Sequence, residues 1–108
     1  MKIDEFQKIS LRTMKIDENT ISHCSMGLAG ETGEVIDIIK KHLYYEKELD
    51  KNHITEELGD IMFYLVNLAS ALDISMVNVL EQNIEKLNKR YPEGFNKEDA
   101  ILRRDKSE

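Results

Sequence analysis

The sequence has 108 residues, 41% of them apolar and 33% charged, which supports one domain with a buried core and leaves no room for two. Against 15 Lys and Arg stand 21 Asp and Glu, a formal net charge of −6, which repels a phosphate backbone and excludes a nucleic-acid polymer as the expected partner. Cys24 is the single cysteine, so one chain can build neither a disulfide nor a thiolate zinc site, and the short apolar runs and the charged start Met1-Lys2-Ile3-Asp4-Glu5 predict a cytoplasmic protein without a membrane partner.

The pattern is helical almost throughout. Ile3 to about Met14 predicts a first helix with Phe6, Ile9 and Leu11 toward the core, and Asp17 to Thr20 supplies turn and cap chemistry. A second helix is expected from about Ile21 to Leu43, where Ile21, Cys24, Leu28, Val35, Ile38 and Ile39 share one stripe. Tyr45 to Asn52 reads as a loop. The third helix, from about His53 to Leu72, has the most sustained apolar face: Ile54, Leu58, Ile61, Met62, Leu65, Leu68, Ala69 and Leu72.

Asp73 or Ser75 can cap a fourth helix with Met76, Val79, Leu80, Ile84 and Leu87 inward, and Tyr91-Pro92-Glu93-Gly94 ends it. One domain over residues 1–95 and a polar, mostly charged tail over 96–108 follow. Four helices with short connections predict an all-α, four-helix-bundle-like fold. Ile36, Leu43 and Val66 lie off the main apolar faces, and this surplus predicts burial against another copy of the chain.

Two pairs of acids break the division between apolar stripe and charged exterior. On the second helix Glu34 lies about 60° from Glu31, with Ile38 between them and Cys24 beside them; on the third, Asp60 lies about 60° from Glu57, close to Leu68 and Ile61. Side chains three apart are neighbours, and antiparallel packing brings all four carboxylates together. Such a cluster repels itself unless a cation enters. Four hard oxygen donors without a Glu-x-x-His pair suit Mg²⁺, or Mn²⁺ as a substitute, better than iron or zinc.

The stretch from Gly27 through Gly30, Glu31, Gly33 and Glu34 to Val35, then Glu56-Glu57-Leu58-Gly59-Asp60, then Asn83 to Pro92 with Lys86, Arg90 and Tyr91, resembles the MazG-like, all-α nucleoside triphosphate pyrophosphohydrolases over nearly the whole chain. The resemblance implies Mg²⁺-dependent cleavage of a nucleoside triphosphate between its α and β phosphates, with Glu31, Glu34, Glu57 and Asp60 as metal ligands and a homodimer or homotetramer as the assembly. Glu34 and Glu56 are both candidates for the general base. Asn83, Lys86 and Arg90 fall within about 60° on the fourth helix and can hold phosphates, although Lys86 and Arg90 also complement the negative end of that helix. A non-catalytic nucleotide sensor and a helical interaction module are the rival readings.

Gly27, Gly30 and Gly33 each cost about 1 kcal/mol relative to Ala inside a helix; close approach by another group, or a break in the helix, would account for them. Tyr44, Tyr45, Tyr64 and Tyr91 read as packing residues, and His23, His42 and His53 as surface or structural ones.

Overall fold

The computed structural model describes residues 1–106, and Ser107 and Glu108 of the expected tail lie outside the described residues. Among the described residues the fold is all-helical, with five α-helices: α1 (Ile3–Ser10), α2 (Thr20–Tyr44), α3 (Lys51–Ala71), α4 (Met76–Arg90) and α5 (Lys97–Leu102). The chain forms two compact units, Met1–Ile74 and a C-terminal one beginning at Ser75.

In the N-terminal unit, α1 ends four residues before the expected Met14. The amide of Leu11 reaches the carbonyls of both Ile9 and Lys8, tighter bonds than the α pattern, and Leu11–Thr13 continue as a 3₁₀ turn. Around the next turn the Thr20 hydroxyl accepts from the Asp17 amide at 2.8 Å and donates to the Lys15 carbonyl at 3.2 Å. That pairing lets Thr20 be buried and begins α2 there. After Tyr44 the chain reverses through Glu46, whose φ is 53°, and Asp50 caps α3 by accepting from the His53 amide at 3.0 Å.

α2 runs antiparallel along α3, Gly27 meeting Tyr64 while Glu31 meets Glu57, and α1 packs on α3 as well. Gln7 ties that second contact: its side-chain amide donates to Ser70 Oγ at 3.1 Å and to the Ile74 carbonyl at 2.9 Å. Covered from two sides, α3 has a wider buried arc than one stripe provides. Val66, expected off the main face, is completely buried. Conversely Ile21, Ile39, Leu58 and Leu72, expected in the core, stay largely exposed in the single chain. The buried apolar residues of this unit are Met14, Cys24, Val66 and Ala69.

Of the two candidate caps for α4, Ser75 is the one used, its Oγ accepting from the Asn78 amide at 3.4 Å. Asp73 instead takes a left-handed conformation, φ 58°, that closes α3. Within the C-terminal unit, residues expected as a charged tail form α5 and a 3₁₀ turn at Arg104–Lys106. Charge pairing explains the order. Asn96 caps α5 through the Asp99 amide at 2.7 Å, Arg104 Nε donates to Asp99 Oδ1 at 2.9 Å, and Arg90 of α4 grips Asp105 through Nε at 2.9 Å and a terminal guanidinium nitrogen at 3.3 Å.

Candidate metal centre

Antiparallel packing of α2 on α3 requires the helix axes to come close, and Gly27 permits it. A Cβ there would overlap the Tyr64 ring carbons Cδ1, Cε1 and Cζ, so the close approach that the glycine suggested is made by α3 itself. Tyr64 is held in turn by edge contacts with His23, ring centroids 5.9 Å apart, and with Phe63, 5.4 Å apart. Gly30 and Gly33 face open space.

One turn along from that contact, Glu31 of α2 and Glu57 and Asp60 of α3 each offer a carboxylate oxygen, all within 4.8 Å of one another. Glu57 is buried, Glu31 half-buried and Asp60 exposed, so the cluster reaches solvent at Asp60. Glu31 Oε2 and Glu57 Oε2 are buried without a hydrogen-bond partner. The Glu31 carboxyl facing it, then burial, then the charge of Glu34 push the Glu57 carboxyl up to about 7. The donor set is all oxygen, as Mg²⁺ and Mn²⁺ prefer.

Glu34 stands beside this trio rather than inside it. It lines an adjoining cavity of about 330 Å³ with Asp37, Lys41, Lys47, Asp50 and His53. Lys41 is paired with Asp37 at 2.8 Å, which lowers the Asp37 carboxyl and raises the Lys41 ammonium. Glu56 is exposed and projects about 100° around α3 from Glu57. On α4, Asn83 and Lys86 are exposed, while Arg90 is partly covered and engaged by Asp105.

Three residues with telling surroundings escaped the sequence reading. His53, taken as surface or structural, brings Nε2 to 3.4 Å from Glu57 Oε1; its position four residues before Glu57 was the available signal. Asp105 lay in the expected tail and carried none. Asn67, seven residues beyond Asp60 and so on the same face of α3, is completely buried with neither amide atom partnered.

Comparison with known proteins places the chain in a family. A family profile described as the MazG nucleotide pyrophosphohydrolase domain matches residues 19–95, a span that contains α2, α3 and α4. A Gene 37 protein of Mycobacterium phage L5 is 35% identical over 78 residues, covering 68% of each chain. No solved structure matches. The acids of α2 and α3 fall inside the matched span, and the chain belongs to the MazG nucleotide pyrophosphohydrolase domain family.

Proposed function

We propose that the protein hydrolyses a nucleoside triphosphate between its α and β phosphates, releasing the monophosphate and pyrophosphate, with Mg²⁺ as the resident cation and Mn²⁺ as a substitute. The observation that carries this reading is the convergence of Glu31, Glu57 and Asp60 from two helices with two buried carboxylate oxygens left unpartnered. Those three residues would hold the cation, with Glu34 as a fourth ligand from the same edge of α2. When bound, the cation neutralises polyphosphate charge that an acidic protein could not otherwise accommodate.

The chain's remaining task is to direct water at the α phosphorus. Its oxygen forms the new bond as the bond to the α–β bridging oxygen breaks, the pyrophosphate leaves with that bridging oxygen, and the water's proton passes to a carboxylate. The place of Glu34 on the cavity lining beside the acids favours it over Glu56 as acceptor. Asn83, Lys86 and Arg90 of α4 bind the phosphates in this reading, and Asp105 fixes the plane of the Arg90 guanidinium.

The same reading includes self-association and a cytoplasmic nucleotide pool as the source of substrate. Ile36 at 60% and Leu43 at 64% exposure on α2, and Val79, Leu80 and Ile84 exposed on α4, support a homodimer or homotetramer; light scattering that gives a monomer at micromolar concentration rejects it. The activity is tested by incubating the protein with Mg²⁺ and a panel of canonical and modified triphosphates and separating pyrophosphate from orthophosphate. Pyrophosphate release that disappears in Asp60→Asn and Glu34→Gln is the expected result. Orthophosphate alone would assign a different bond, and binding without turnover would assign a sensor.

A further inference from the structure

Glu57 is the buried member of the acid trio, and a carboxylate on a soft terminal torsion does not hold one orientation unaided. Its Oε2 has no partner, whereas its Oε1 lies 3.4 Å from His53 Nε2. The two residues are one turn apart on α3, and the Asp50 cap, accepting from the His53 amide at 3.0 Å, fixes the turn from which the imidazole projects. From these relationships we infer that His53 is a positioning residue for the cation site: its imidazole beside Glu57 Oε1 keeps that oxygen on the His53 side through its Nε2 donor and leaves the unpartnered Oε2 for the cation.

The inference rests on the cation reading above and adds an outer partner to it. Ligating carboxylates are set by such partners, whose loss weakens binding without removing a ligand. His53 suits the task because its side chain is 48% exposed and also lines the cavity that holds Glu34. Replacing it therefore opens no hole in the core, and its effect on the cation is separable from any effect on folding.

The test measures Mn²⁺ affinity of the substrate-free protein by electron paramagnetic resonance of the free ion, in wild type, His53→Ala, His53→Gln and Glu57→Gln, with cation-free melting temperature recorded for each. His53→Ala is expected to weaken Mn²⁺ binding by about 10- to 100-fold with an unchanged cation-free melt. His53→Gln, which returns an N–H donor near the same place, is expected to restore most of the affinity. Wild-type affinity in His53→Ala, while Glu57→Gln loses binding, overturns the role of His53 alone. Equal loss in His53→Ala and His53→Gln overturns the donor role as well. Wild-type affinity in Glu57→Gln overturns the cation reading itself, and the inference with it.

Discussion

The ring of Tyr64 occupies the space that a side chain at Gly27 would need. Gly27→Ala therefore gains up to about 1 kcal/mol of helix propensity but forces the ring aside in a site already bounded by Phe63 and His23, and overpacking costs about 1–3 kcal/mol. Urea denaturation is expected to show net destabilisation for Gly27→Ala. Gly30→Ala, with nothing near its added methyl, is expected to be stabilising in the isolated chain.

The proton that Glu57 holds up to about 7 makes cation-free stability depend on pH. The unfolded carboxyl titrates near 4.5, so between the two values the folded protein binds more protons than the unfolded one, and its stability falls as pH rises through that window. The melting temperature without divalent ions is expected to decline across it more steeply in wild type than in Glu57→Gln. On the proposed reading Mn²⁺ displaces that proton, so calorimetry of the wild type in buffers of different ionisation enthalpy is expected to record proton release on binding below pH 7.

Asp105, its side chain 1% exposed, is held by Arg90 at 2.9 Å and Arg103 at 3.4 Å, and these guanidiniums keep its carboxyl well below the usual range. Its contribution is complete above the ordinary aspartate pKa and is lost as pH falls below it. Asp105→Asn is expected to raise amide exchange in α5 and the end of α4 while leaving α2 and α3 protected. In the activity assay it is expected to raise KM more than it lowers kcat, because Arg90 loses its fixed plane.

Asn67 hides a complete amide from water with no partner for either atom. Removing such an orphan in favour of an apolar group of similar size relieves a desolvation penalty of about 1–3 kcal/mol. Asn67→Leu is expected to raise the denaturation midpoint, and a variant that is more stable yet less active would place the amide in the service of the site rather than of the fold.

Much of this was legible because it is periodic or local. The cap at Ser75 and the long apolar face of α3 are written in neighbouring residues, and Glu31 on α2 and Glu57 and Asp60 on α3 stood out as acids bordering the apolar stripe of their own helix. What escaped depended on contacts distant in sequence. Val66 is buried because α1 and α2 together cover α3, and no single helical stripe encodes that. The order of residues 97–106 comes from Arg90 meeting Asp105 fifteen positions away, a pairing that a run of mixed charge does not announce. His53 is different: its spacing to Glu57 was visible, but an imidazole beside an acid has no meaning until that acid is known to be buried.

The acids facing each other at the centre project from separate rods of one hairpin, Glu31 from α2 and Glu57 from α3. Their mutual repulsion pushes in the direction that parts those rods, and the magnesium ion proposed above would pull in the opposite one. On that reading a cell short of the ion would hold the protein in a looser form, more open to proteases, so that ion supply would govern how long each molecule survives.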